Sequence, residues 1–300
     1  MKPAAPSKAT VERFREDCEA LIKDGAGLGL AVSGGPDSVA MLLLAHAAFP
    51  GRVEAATCDH QLRAESIDEA RFVAVLCAKR GVPHATLMLD LPATGNVSHN
   101  ARAARYAALE NWRVERGLDH ILTAHHADDQ LETVIMRLNR GAGVGGLAGI
   151  RAVNGAVVRP LLNWRRVELA AIVAEAGITP VDDPSNRDDA YDRARLRKAL
   201  AEADWLDPLA VARSAAACAE ADDALNGMDS RELTRRRVLA ELRLIEPGLT
   251  PRGEQLDALI EALHAGHTTT LGKVLCTGGE TWTFSPAPPR RAVAPKDPTA

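Results

Sequence analysis

From Leu28 onward the chain alternates short apolar runs with longer stretches of helical spacing. "LGLAV" (28–32), "VEAATC" (53–58), "HATLMLD" (84–90) and "HILTAH" (120–125) read as strands. Between them lie three helical segments. Ser38 to Phe49 stops near Pro50-Gly51, "SIDEARFVAVLCAKRG" has Ser66 and Glu69 spaced as a capping box, and Ser98 to Arg116 ends at Gly117. Asp128 reads as the cap of a further helix running to Arg140-Gly141. A glycine-rich turn, "GAGVGGLAGI", leads to "AVVRPLL", and Asn163 to Ala176 is again helical. Strands that alternate with helices imply a doubly wound, mainly parallel sheet with helices on both faces and right-handed crossovers.

The spacing changes after about residue 200. Leu200 to His264 is helical with charged faces, and "TTTLGKVLCTGGETWTFS" (268–285) reads as a hairpin turning at Gly278-Gly279. The division expected is therefore a catalytic domain over 1–204 and a small, mostly helical C-terminal domain with a short β-hairpin over 205–300. The proline-rich tail "PAPPRRAVAPKDPTA" carries no core.

Composition narrows the classes. The chain has 300 residues, 46% of them hydrophobic but only 3% aromatic, so its core is built from Ala, Leu and Val. A net charge of -4 argues against a basic coat over the whole surface and leaves room for a local basic patch. Five scattered cysteines, none in a C-x-x-C pair, argue against a disulfide framework or a cysteine zinc site. "VAMLLLAHAAF" is too short to span a bilayer and the first residues lack a signal-peptide core, so a cytoplasmic protein is expected.

Chemistry enters at Ser33-Gly34-Gly35-Pro36-Asp37-Ser38, between the first strand and its helix. In such sheets ligands bind beyond the carboxyl ends of the strands. Two glycines allow close approach of an anion, the helix N-terminus favours a phosphate, and Ser33 and Ser38 add hydroxyls. Asp37 would repel a phosphate unless Mg²⁺ sits between them. Neither G-x-x-x-x-G-K-[ST] nor G-x-G-x-x-G is present at this turn.

S-G-G-x-D-S after a first strand resembles the loop of the N-type ATP pyrophosphatases (PP-loop proteins). These have the adenine nucleotide alpha hydrolase-like fold, cleave ATP between its α and β phosphates and adenylate a substrate oxygen. Five further blocks follow: "CDHQLRAES" (58–66), "NARAARYAALE" (100–110), "TAHHADDQLETVIMRLNRGAG" (123–143), "RPLLNWRRVEL" (159–169) and "DDPSNRDDAYDRARLR" (182–197). In order and wording they resemble the tRNA(Ile)-lysidine synthetases. That resemblance implies ligation of free L-lysine to C2 of the wobble cytidine of tRNA(Ile) with a CAU anticodon, giving lysidine, AMP and pyrophosphate.

The resemblance also assigns residues. Ser33, Gly34, Gly35, Pro36, Asp37 and Ser38 would bind ATP, with Asp37 holding Mg²⁺. Asp129 and Glu132, three apart on one helix face, would hold lysine, and such a carboxylate pair can take the proton of an amine. Arg105, the second arginine of A-R-x-x-R-Y, would neutralise the phosphoryl oxygens, with His125 nearby. Arg102 fits a solvated face, Cys58 strand-end packing, and His60 and Arg63 the nucleotide side of the second strand. Asp37, Arg105, His125, Asp129 and Glu132 form the expected catalytic set. Arg193, Arg195 and Arg197, with Lys198 beside them, form a cationic end suited to tRNA phosphates, although Ala194 stands where the family commonly has Asn. Arg235-Arg236-Arg237 fits either a tRNA contact or a surface run.

Two alternatives remain at this level. A sulfur-inserting PP-loop tRNA enzyme would carry a C-x-x-C pair, which is absent here. A non-catalytic ATP-binding module would need the loop but not Asp129, Glu132 or the arginine block. The oligomeric state is left open, a homodimer included.

Overall fold

The computed structural model describes residues 5–59, 65–89, 97–181, 192–227 and 230–288. His60, Arg63, the acidic stretch 182–191 and the tail from 289 lie outside the described residues, as does the side chain of Arg193. The chain divides into two compact units, one ending at Asp222 and one beginning at Asp223.

The first unit contains α1 (Lys8–Glu19), β1 (Leu28–Ala31), α2 (Pro36–Ala48), β2 (Val53–Asp59), α3 (Glu65–Ala78), β3 (His84–Met88), α4 (Val97–Glu115) and β4 (His120–Leu122). It continues with α5 (Ala127–Leu138), α6 (Val144–Leu147), β5 (Val153–Asn154), β6 (Val157–Val158), α7 (Arg166–Glu175) and α8 (Asp192–Ala201). α9 (Pro208–Asn226) spans its end. The strands form one six-stranded sheet in the order β3-β2-β1-β4-β6-β5. Every pairing is parallel except β5 with β6. The chain winds outward from β1 to β3, then crosses back to place β4 on the other side of β1. Such a reversal opens a crevice at the carboxyl ends of β1 and β4.

The continuous apolar look of "LGLAV" has a simple cause: both faces of the strand are covered. Leu28, Leu30 and Val32 join Phe14, Met41, Leu42, Val73, Trp164 and Leu169 in the layer made by α1, α2, α3 and α7. On the opposite face Ala56 and Ile121 pack with Leu109 and Trp112 of α4. Gly29 lies under Trp112; a Cβ there would sit 2.6 Å from the indole Cζ3. That glycine is set by packing, not by a turn.

Several elements differ from the sequence expectation. α1 was not anticipated; Ser7 caps it by accepting from Thr10 N at 3.2 Å, and Phe14 and Cys18 are its buried residues. α7 starts at Arg166, not Asn163, because residues 161–163 form a turn. Ser66 lies inside α3 instead of capping it. The cap of α5 is His126, in extended backbone at φ -129°, and Asp128 falls in the first helical turn. The strand ends at Leu122, so the helix begins two residues before an Asp128 cap would allow.

The second unit holds α10 (Ser230–Ile245), α11 (Gly253–His264) and a three-stranded antiparallel sheet of β7 (Thr268–Leu271), β8 (Val274–Thr277) and β9 (Thr283–Pro286). Val238, Leu242, Leu256, Leu259, Leu263, Val274 and Cys276 form its core. The expected hairpin gains a third strand: β7 and β8 turn at Gly272-Lys273, with Gly272 at φ +60°, and Gly278-Gly279 opens the connection from β8 to β9, with Gly279 at φ +137°. Gly278 also packs closely, since a Cβ there would lie 2.3 Å from the Leu263 carbonyl oxygen. Arg235 faces Asp257 at 3.2 Å within this unit. No helix among the described residues is long and apolar enough to cross a membrane.

Candidate active site

The loop after β1 is shaped by its own atoms. Gly34 takes φ +91°, a conformation L side chains rarely adopt, and Gly35 is the extended N-cap of α2 with Pro36 at its start. The Ser38 hydroxyl donates to Gly35 O at 3.0 Å and accepts from Ser33 N at 3.2 Å. Its proton is therefore used to hold the loop, which gives Ser38 a shaping role. Val181 N donates to Gly34 O at 3.0 Å and fastens the loop from outside. Asp37, in the first turn of α2, has a buried Oδ1 with no hydrogen-bond partner among the described residues.

Beside this loop, across the β1–β4 crevice, stands the N-terminus of α5. Its capping box is reciprocal: Asp129 N donates to His126 Nδ1 at 3.4 Å, and His126 N donates to Asp129 Oδ2 at 3.2 Å. The His126 side chain is fully buried. Its Nε2 lies 3.4 Å from Asp37 Oδ2 and 3.5 Å from Asp129 Oδ2. Burial works against protonation of this ring, but Asp37 and Asp129 outweigh it and raise its pKa above the ordinary histidine value. The structure thus brings together Asp37 and Asp129, two members of the sequence-derived set, through a histidine that the set lacked.

Asp128 is not the cap but an anchor. It accepts from Arg166 N at 2.8 Å and from the Arg165 guanidinium at 3.2 Å. Burial raises its pKa, yet these donors prevail and hold it below the usual carboxylate value. His125, next to the buried His126, is half-buried and pairs its Nδ1 with Thr123 Oγ1 at 2.9 Å.

Glu132 follows one turn later, with its side chain 4% exposed. The Arg197 guanidinium meets it with Nε to Oε1 at 2.7 Å and Nη2 to Oε2 at 3.0 Å. Arg166 Nη2 lies 4.0 Å from the same Oε1. Of the cationic end of α8, then, Arg197 turns toward the carboxylates while Arg195 and Lys198 are exposed.

On α4, Arg102 and Arg105 stand with their guanidinium carbons 5.1 and 5.3 Å from the Tyr106 ring centroid. Arg159, just past β6 and 5% exposed, adds a third guanidinium whose charge acts on Tyr106. Burial raises the Tyr106 pKa, but these three guanidiniums prevail and lower it. Cys58 is pushed up to about 11 by burial despite nearby Arg105, so its thiol is inert at neutral pH, as expected of strand-end packing. Among the described residues no group of three or more His, Cys, Asp or Glu side chains could hold a metal.

A PP-loop domain model matches residues 6–204. The tRNA(Ile)-lysidine synthase of Novosphingobium aromaticivorans is 46% identical over 93% of this chain and 94% of its own length. The chain belongs to the tRNA(Ile)-lysidine synthase family. That of Zymomonas mobilis is 39% identical over 88% of this chain and 89% of its own. Among solved structures, the U34-tRNA thiolase NcsA of Methanococcus maripaludis, with its [4Fe-4S] cluster, shares the fold. It has a TM-score of 0.58 at 16% identity over 74% of this chain and 80% of its own.

His126 and Arg159 stood outside the expected catalytic set. For His126 a signal existed: it directly follows the strand end, where an N-cap was due, but Asp128 is the commoner cap residue and drew the assignment. For Arg159 the "RPLL" block marked the place without indicating that its arginine would be buried.

Proposed function

We propose that this chain is an ATP-dependent ligase that joins free L-lysine to C2 of the wobble cytidine of tRNA(Ile) with a CAU anticodon, in the cytoplasm. Membership of the lysidine synthase family supports the reading. The single observation that carries it in the structure is the meeting of Asp37 and Asp129 on one buried imidazole, which brings the phosphate loop and an amine-binding carboxylate to one place.

In this reading the cytidine O2 attacks the α-phosphorus of ATP and pyrophosphate leaves. The lysine ε-amine then attacks C2, loses a proton, and AMP leaves with the oxygen. Gly34, Gly35 and Pro36 shape the turn on which the phosphates lie, with Ser33 at its edge. Asp37 would hold Mg²⁺: it offers one buried carboxylate oxygen with no hydrogen-bond partner among the described residues, and this ion is commonly held by one or two carboxylates plus substrate phosphates. When bound there, Mg²⁺ supplies positive charge to the phosphates. Arg105 and Arg159 add cationic character around Tyr106 on the α4 side. His125 lies at the strand end within the same crevice.

Asp129 is the carboxylate suited to take the proton of the attacking amine, since its side chain is 18% exposed against 4% for Glu132. Glu132 acts from behind, and its contact with lysine requires the Arg197 guanidinium to share or yield its place. Arg195 and Lys198 are exposed on α8 and suited to tRNA phosphates, and Arg193 belongs to the same helix.

The test is transfer of labelled lysine into acid-precipitable RNA. Purified protein, Mg²⁺ and ATP are mixed with unmodified tRNA(Ile) carrying a CAU anticodon, or with the same tRNA bearing another wobble base. ATP-dependent labelling of the first alone is expected. Pyrophosphate release without labelling would mean another nucleophile, and neither product from protein that binds ATP would leave a binding module.

A further inference from the structure

The histidine between the two carboxylates has a geometry that fixes its job. Its Nδ1 faces the Asp129 backbone N–H at 3.4 Å, so in the neutral ring Nδ1 carries the lone pair and the proton sits on Nε2. That Nε2–H lies between Asp37 Oδ2 and Asp129 Oδ2, at 3.4 and 3.5 Å. These are ion-pair distances; Nε2 makes no hydrogen bond with either oxygen among the described residues, so the buried ring acts on both carboxylates by charge and dipole. The ring has no solvent exposure, and Asp128 and Arg166 complete its charged surroundings. Without the ring between them, two carboxylates brought this close would repel and turn apart.

We propose that His126 is a positioning residue of the ligation: its Nδ1 caps α5 and so aims Nε2–H at Asp37 and Asp129, holding the phosphate-loop carboxylate and the amine-receiving carboxylate in one fixed relation. The proposal rests on the lysine-ligase reading for the role of Asp129. Its structural half, the link between α5 and the phosphate loop, stands on distances alone. Two separate tasks follow for one ring. Capping is done by Nδ1 and bridging by Nε2, so side chains that mimic one nitrogen at a time separate them.

Asparagine places a polar atom near the Nδ1 position and is a good N-cap, but it is too short to bridge. Glutamine places its amide nitrogen near the Nε2 position and loses the cap. The experiment compares H126N and H126Q with the wild type by thermal melting, by ATP binding with and without Mg²⁺, and by kcat and KM for lysine. H126N is expected to melt like the wild type, yet to lose about 10–100-fold in kcat and several-fold in the Mg²⁺-dependent gain in ATP affinity. H126Q is expected to melt lower, yet to recover most of both. A residue that only supports the fold gives the reverse order, with H126N active and H126Q impaired in step with its stability, and that result would overturn the proposal. Wild-type protein that labels no tRNA would remove the ligase reading. The Mg²⁺-dependent ATP binding of the two variants would still decide whether His126 sets Asp37.

Discussion

The Arg197 guanidinium grips the Glu132 carboxylate with two bonds, from α8 to a nearly solvent-excluded position on α5. The contact raises the Arg197 pKa chiefly through that hydrogen-bonded pairing. It means that the second acidic residue of D-x-x-E is already matched by a cation from the same chain, before any substrate amine arrives.

Removing one partner therefore leaves a buried charge unmatched. R197A is expected to lower the stability of the first unit by about 2–3 kcal/mol, below the figure for a fully buried pair because Arg197 is partly exposed. Adding E132Q should restore much of that loss without restoring lysine transfer. Urea unfolding of the two variants checks this; equal stability of R197A and wild type would mean that the pair does not hold Glu132.

The two loop glycines should separate cleanly. At Gly34 an alanine would sit at φ +91° with its Cβ 3.1 Å from Val181 Cγ2, so G34A should cost about 1–2 kcal/mol and weaken ATP binding. At Gly35 the backbone is ordinary and the nearest atom, Ser33 Oγ, is 3.7 Å away. G35A should fold normally and lose ATP affinity only through the methyl group facing the phosphates. Melting curves beside ATP titrations distinguish the two.

G29A should drive a methyl group into the face of Trp112, at a cost of about 1–3 kcal/mol from overpacking. The change should be visible as altered emission of a buried tryptophan. W112L in the same chain should recover part of the lost stability; if G29A alone is neutral, the close packing of β1 against α4 is refuted.

Asp128 predicts an acid dependence. Its carboxyl titrates below 3.8 in the fold because Arg165 and the Arg166 N–H outweigh burial. It therefore adds stability above about pH 4, and that contribution disappears as pH falls through the lowered value. D128N should be about 1 kcal/mol less stable than wild type at pH 7, with the difference shrinking as pH falls below about 4. Unfolding midpoints across that interval provide the check.

Much of this was legible in the chain. Strands covered on both faces leave unbroken apolar runs such as "LGLAV", and glycine stops mark the helices between them, so the doubly wound class followed from pattern alone. The phosphate loop was legible because few other reasons assemble Gly34, Gly35 and Asp37 at a strand end. What pattern could not supply was the choice among equivalent local options. Asp128 and His126 both suit an N-cap, and the length of β4 decided between them. Gly272 and Gly278 each open a turn of the same small sheet, and the first went unread because one hairpin already accounted for the segment. In "RARLRK" every cation looks alike in one dimension; only the packing of α8 beside α5 turns Arg197 inward.

The loop bearing Asp37 and the helix bearing Asp129 leave the sheet from β1 and β4, which are hydrogen-bonded neighbours in parallel register, Leu28 opposite His120 and Leu30 opposite Leu122. Adjacent strands keep a spacing of about 4.8 Å whatever their side chains. The gauge between the nucleotide and the incoming nucleophile is thereby inherited from the backbone. A chain built this way can exchange the residues that choose the nucleophile, on α5, while the distance that chemistry must cross stays constant.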